Sequence, residues 1–191
     1  MQDALGILPI VAENLGVITP EVEGLRERHR IPGMFVLQFD VCDDEFSLSD
    51  VSTDSVCYTG THDNDTTIGW FRGSPDDIRS AKDIADAQQA VLELTGGTAE
   101  TVHIDLIKAA FSTDACIAIA PMQDYLGLGS EARINTPGVP GGNWRWRVLD
   151  SQLSPKLCDN IASLVIASGR EMSSNEQTEN RFLPSRQSSH A

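Results

Sequence analysis

Three groups of residues have the types and spacing to do chemistry. The first is Glu13, just after the apolar run Ile7-Leu8-Pro9-Ile10-Val11-Ala12. A carboxylate at the end of a buried strand can be desolvated, which raises its pKa and suits a general acid. It could equally cap the turn that follows. The second is His62-Asp63-Asn64-Asp65, close behind the run Val56-Cys57-Tyr58-Thr59. His62 and the carboxylates could bind sugar hydroxyls or stabilise a developing cation. His62, Asp63 and Asp65 could instead ligate a hard metal ion, or Asn64 and Asp65 could cap the next helix. Capping suits Asp65-Thr66 but leaves His62 and Asp63 unexplained. A metal needs further ligands. His29 ends a helical pattern, His103 lies inside one and His190 is in the polar tail, so metal ranks below sugar. The third is Gly141-Gly142-Asn143-Trp144-Arg145-Trp146-Arg147. Its rings can stack on sugar faces while amide and guanidinium groups take hydroxyls. The Trp side chains could also anchor a long loop. The expectation is that one Trp anchors and that Asn143 faces the site.

These groups need elements to position them. Strand-like runs fall at Ile7–Ala12, Met34–Phe39, Ser55–Thr59 and Ala115–Ala120. Helical patterns separate them: from Thr19-Pro20 to about His29, from Pro75 to about Leu94, and from Ala99 to Ser112. Thr before Pro is an N-cap signal, and Pro32-Gly33 and Gly96-Gly97 are stops. Short strands that are apolar throughout, alternating with helices, predict a parallel sheet in an α/β fold. Polar groups gather after every strand, with Glu13-Asn14, then Gln38 and Asp40, His62-Asp63, and Gln123-Asp124. That is the end at which parallel α/β folds build their sites. A Gly- and Pro-rich loop follows, then a last helix over Pro155–Ser168, and from Gly169 the chain is polar and is expected to be disordered.

Bulk properties narrow the class. Fourteen basic against twenty-eight acidic residues give a net charge of −14. That balance repels a phosphate backbone, so no nucleic-acid partner is expected. No apolar run approaches the roughly 20 residues of a membrane span, so no membrane partner is expected either. No signal peptide is read at Met1. The four cysteines, at 42, 57, 116 and 158, form no C-x-x-C pair and are read as reduced thiols of a cytoplasmic protein.

Five segments, VAENLGVITPEVEGLR, IPGMFVLQF, YTGTHDNDTTIGW, PMQDYLGLGSEARINTPG and GNWRWR, occur in this order. In order and spacing they resemble the C-terminal half of the amylomaltases, the 4-α-glucanotransferases or disproportionating enzymes of glycoside hydrolase family 77. The resemblance runs from Ile10 to Val148 and continues more weakly into the last helix. It implies a (β/α)₈ barrel and retaining transfer of α-1,4-glucan segments between maltodextrins, with no catalytic metal and no organic cofactor. It implies that Glu13 is the general acid/base and Asp63 the acid that supports the transition state. By the same resemblance His62 binds sugar, and Phe39 and Asn143, with Trp144 beside it, line glucose subsites.

One part of the family pattern has no counterpart. A retaining mechanism needs a second carboxylate about 5–5.5 Å from the acid/base. The resemblance places that Asp in an Arg-x-Asp-His-type motif on an earlier strand, and no such motif occurs here. His103-Ile104-Asp105 lacks the Arg and lies in a helical pattern. The expected architecture is therefore a partial TIM barrel, about its last four strands with their helices. Residues 1–169 form the barrel half and 170–191 a disordered polar tail. Such a chain would bind maltodextrin or another α-1,4-glucan, lack the nucleophile, and be inactive without a separate N-terminal half. Two readings stand beside it: a non-catalytic glucan-binding module using His62, Asp63 and Asn143, and a metal-dependent hydrolase using His62, Asp63 and Asp65.

Overall fold

Three of the apolar runs become strands of one sheet: β1 (Gly33–Val36), β2 (Ser55–Tyr58) and β3 (Ile117–Ile119). The computed structural model describes residues 10–43, 45–74 and 77–170. The strand order is β1-β2-β3 and both pairings are parallel, with Met34 beside Val56 and Cys57 beside Ala118. Parallel neighbours require crossovers, and helices supply them. Helix α1 (Pro20–Arg28) precedes β1, and α2 (Leu37–Asp40) follows it directly. Between β2 and β3 lie α3 (Thr67–Arg72), α4 (Ala81–Thr95) and α5 (Val102–Ser112). After β3 come α6 (Met122–Tyr125) and α7 (Pro155–Ala167). The parallel sheet and α/β class are as the sequence predicts.

Local chemistry sets these boundaries. Ser80 accepts from the Asp83 amide while the Asp83 carboxylate accepts from the Ser80 amide, a reciprocal cap that starts α4. Gly96 ends that helix in the left-handed region at φ 64°. Helix α5 carries the centre of the core. Val102, Leu106, Ile107, Ala110 and Phe111 are buried against Leu37, Cys57, Trp70, Phe71 and Val91. Positions i, i+4, i+5, i+8 and i+9 put that set on one side of the helix. Helices α1 and α7 bury no residue completely.

Four expectations change. The run Met34–Phe39 is strand only to Val36, where the chain turns into α2. Leu37 thereby enters the core at 0% exposure and Phe39 faces outward at 54%. Ile10–Ala12 forms no strand. It lies along β1 nonetheless: the Ala12 amide donates to the Pro32 carbonyl at 2.8 Å, and Asn14 Oδ1 accepts the Met34 amide at 2.7 Å. A side chain occupies the place of a ladder carbonyl, so the described sheet has three strands and not four. The helical region expected from Pro75 starts at Ala81, because Ser80 caps it. Finally, Arg170 does not belong to a loose tail. Its guanidinium donates to the carbonyls of Phe111 (2.8 Å), Ala115 (2.9 Å) and Thr113 (2.5 Å), fastening the end of α7 to the end of α5. Residues Ile7–Pro9 and the remaining expected tail, 171–191, lie outside the described residues. Among the described residues no helix is long and apolar enough to cross a membrane.

Candidate active site

The turn after β2 is built to present two side chains. It enters at Gly60, where any Cβ would lie 2.7 Å from Gln38 Nε2, so only glycine fits without displacing that amide. Asn64 Oδ1 accepts from the Thr61 amide at 2.9 Å and the Thr61 hydroxyl at 2.7 Å, closing the turn on itself. Asp65 accepts from the Thr66 amide at 2.8 Å and from the Ser130 hydroxyl at 2.6 Å. Thr66 then caps α3 through the Gly69 amide at 3.0 Å. With Asn64, Asp65 and Thr66 so engaged, His62 and Asp63 are left half-exposed at the tip, at 51% and 44%.

Those two side chains are held from outside. His62 Nε2 stands 3.2 Å from Asp63 Oδ1. The same oxygen accepts from Asn135 Nδ2 at 2.6 Å. Arg133 donates to the Asp63 carbonyl at 2.7 Å and to the Asn135 carbonyl at 2.8 Å. The Trp144 ring lies against His62, centroids 5.2 Å apart and planes inclined by 36°. Beneath the turn, Asp124 is buried at 1% exposure. It accepts from the Thr59 hydroxyl, the Thr67 amide and the Thr67 hydroxyl, each at 2.8 Å. Burial outweighs these donors and pushes its carboxyl above the usual carboxylate range.

Glu13, Phe39, His62 and Asp63 line one cleft of about 630 Å³, with Gln38, Asn64, Asp65 and Arg133. Glu13 is exposed on the cleft wall. Trp70, Asp77, Ile78 and Arg79 line the cleft too. Arg79 lies over the Trp70 ring at 5.5 Å and pairs with Asp77 at 2.7 Å. That guanidinium holds the Asp77 carboxyl below the usual range. The cleft thus joins carboxylates, an imidazole, amides and aromatic faces, a set suited to a neutral polyhydroxyl ligand. Among the described residues no three His, Cys, Asp or Glu side chains converge as a metal site.

Two predicted residues stand apart from the cleft lining. Trp144 reaches it only through the His62 ring and is 57% exposed. Asn143 does not face the site as expected. Its Oδ1 accepts the Thr136 amide at 3.0 Å, and its Nδ2 donates to the carbonyls of Thr136 (3.3 Å) and Val139 (2.9 Å). A loop rich in Gly and Pro leaves backbone groups unpaired, and this amide satisfies them. Sequence reading missed Asn135, Arg133, Trp70 and Arg79. The first three lie inside the segments PMQDYLGLGSEARINTPG and YTGTHDNDTTIGW, so the pattern contained them without marking their roles.

Comparison with known proteins identifies the family. The sequence profile of glycoside hydrolase family 77, described as 4-alpha-glucanotransferase, matches residues 1–152. A 4-alpha-glucanotransferase of Synechocystis sp. is 44% identical over 172 residues, covering 86% of this chain and 32% of its own length. One from Thermus thermophilus is 42% identical over 177 residues, covering 89% of this chain and 34% of its own length. The amylomaltase of Streptococcus agalactiae, solved in complex with acarbose, superposes with a TM-score of 0.73 at 27% identity, over 90% of this chain and 34% of that one. The chain thus spans about a third of the length of the curated relatives it matches. On the breadth of the profile match the chain belongs to the 4-alpha-glucanotransferase family, glycoside hydrolase family 77.

Proposed function

We propose that this chain is the part of an α-1,4-glucanotransferase that carries the acid/base, and that its cleft binds maltodextrin. The observation that carries this reading is the meeting of Glu13, Phe39, His62 and Asp63 on one cleft in a chain of this family. Glu13 protonates the departing glycosidic oxygen, then takes the proton from the incoming sugar hydroxyl. Asp63, oriented by Asn135 and His62, accepts hydroxyls of the distorted sugar and opposes the positive charge that develops at its anomeric carbon. Phe39 and Trp144 offer exposed rings to sugar faces. Asn143 contributes by holding the loop that carries Trp144.

The fold is read as part of a (β/α)₈ barrel, with the segment before Asn14 running as the neighbour of β1. The nucleophile comes from a separate N-terminal half. The engagement of the other cleft carboxylates supports this. Asp65 is taken by Ser130 and Thr66, Asp77 by Arg79, and Asp63 by Asn135 and His62. Among the described residues that line the cleft, none is left to sit opposite Glu13 as a second free carboxylate. The chemistry uses no metal or organic cofactor, and the free thiols support a cytoplasmic setting.

Calorimetric titration of the purified chain with maltotriose tests the reading. Binding without release of glucose is expected, with Glu13→Gln binding as wild type and Asp63→Ala binding weakly. Absence of binding sinks the glucan reading. Turnover by the chain alone sinks the missing nucleophile. The exposure of Glu13 favours one other reading, a glucan-binding module without chemistry. It is separated from the first by whether any complementary half restores transfer.

A further inference from the structure

The turn that presents His62 and Asp63 has two stems, and one buried carboxylate joins their side chains. Thr59, which ends the incoming stem, lies three positions before His62. Thr67, the first residue of α3, lies four positions after Asp63. Both are 0% exposed. The Asp124 carboxylate bridges them: Oδ2 accepts the hydroxyls of both threonines and Oδ1 accepts the Thr67 amide. Gln38 supports the same turn through backbone carbonyls: its amide donates to the Thr59 carbonyl at 3.3 Å and its Nε2 to the Asp65 carbonyl at 3.1 Å. Asn64 to Thr61 closes the tip, while Asp65 to Ser130 and Asp63 to Asn135 hold the outer face. Asp124 stands beyond the cleft-lining set and touches no group that would meet a ligand.

We infer that Asp124 is a positioning residue of this cleft, fixing the two stems of the 60–66 turn and so the place of His62 and Asp63. Its importance for ligand affinity rests on the glucan-binding reading; its hold on the turn does not. Removal of the carboxylate strands three buried donors. The hydroxyls can turn to other acceptors, but the Thr67 amide cannot, and an unpaired buried donor is costly. Asparagine keeps the arrangement: its oxygen accepts the Thr67 amide and its amino group donates to the two hydroxyl oxygens. The required property is thus a bidentate hydrogen-bonding head of this size rather than a negative charge.

Amide hydrogen exchange and maltotriose titration of Asp124→Ala and Asp124→Asn test this. In Asp124→Ala, exchange over residues 60–67 should quicken by about tenfold relative to the amides of α5, and maltotriose affinity should fall by about tenfold, the scale of one lost buried hydrogen bond. Asp124→Asn should restore both to within about threefold of wild type. Unchanged exchange in the turn, quickening no greater than in α5, or failure of asparagine to restore would overturn the inference. If the wild-type chain binds no maltotriose, the glucan reading fails while the exchange comparison still decides this one. If Asp124→Ala does not fold, Thr67→Val takes its place, deleting one hydroxyl and keeping the amide. Its turn should exchange about threefold faster than wild type relative to α5, and an unaltered turn would refute the assignment.

Discussion

Asp63 is only half-buried, yet its carboxylate is held by a short bond from Asn135, and Arg133 holds the backbone on which it stands. Asn135→Ala should therefore weaken maltotriose binding by about fivefold, near 1 kcal/mol, while moving the unfolding midpoint little, because the partner left behind is wet. Calorimetry and urea unfolding on the same preparation separate the two effects. Cys57 makes a contrasting case. It is fully buried beside the core and burial pushes its thiol up to about 11. A thiol is reactive only as thiolate. At neutral pH a disulfide reagent should label the exposed Cys42, Cys116 and Cys158, and reach Cys57 only in denaturant. Mass mapping of labelled peptides reads this directly. Asp124 adds a pH signature, with His103 and Tyr125 as its titratable neighbours. Its carboxyl lies above the usual range, so the folded chain binds that proton more tightly than the unfolded chain. This contribution to stability is present below the ordinary carboxylate pKa, about 4, and is lost as pH rises through the raised value. The urea-derived stability of wild type minus that of Asp124→Asn should fall across that window, and a flat or rising difference would contradict the burial argument.

Gly73 ends α3 with φ at 73°, and a Cβ there would lie 2.7 Å from the tip of Ile84 on α4. Gly73→Ala combines backbone strain with a forced shift between two helices that share the core. It should cost about 1–2 kcal/mol, read as a lower thermal midpoint. Signals of this kind, local and chemical, are what the sequence displayed well. Gly96 and Thr66 bound helices as their types suggest, and an apolar run into a polar cluster placed β2 and its turn correctly, whereas Pro75 drew the start of α4 away from its true cap at Ser80. Where side-chain burial is the same in two conformations, sequence could not decide. Leu37 is as buried on the turn of α2 as it would be in a longer β1, so the run Met34–Phe39 concealed the strand's end. Asn143 misled for a different reason. An amide among aromatic residues looks like a ligand contact, but a loop with few internal backbone bonds claims it first. Asp124 was legible as a polar group after a strand. Its partners lie 57 and 65 positions away, beyond any local pattern.

At the scale of the molecule the described sheet is open. Strand β3 pairs only with β2, and Ile119 on it is 39% exposed. At the opposite side Ile10 and Val11 are 39% and 38% exposed, and Phe39 stands out from the cleft wall. Unpaired strand edges and apolar side chains in water cost stability and invite association, against which the net charge of −14 is a general repulsion. The purified chain is expected to unfold at low urea or to elute larger than a monomer, and a monomer with a cooperative, mid-range unfolding transition would argue against an open half barrel. The decisive measurement follows from the length relation. Relatives carry about twice as much additional chain as they share with this one, so a relative can supply what would close the cleft. The Synechocystis sp. 4-alpha-glucanotransferase, 44% identical, is a suitable donor. Its N-terminal part, expressed separately and mixed with this chain, should give glucose and longer maltodextrins from maltotriose where neither part alone does. The same mixture made with Glu13→Gln should give none, because the acid/base would be gone although the cleft is whole. Activity that survives Glu13→Gln would remove the acid/base from Glu13. Complex formation without turnover by the wild-type mixture would favour the glucan-binding module.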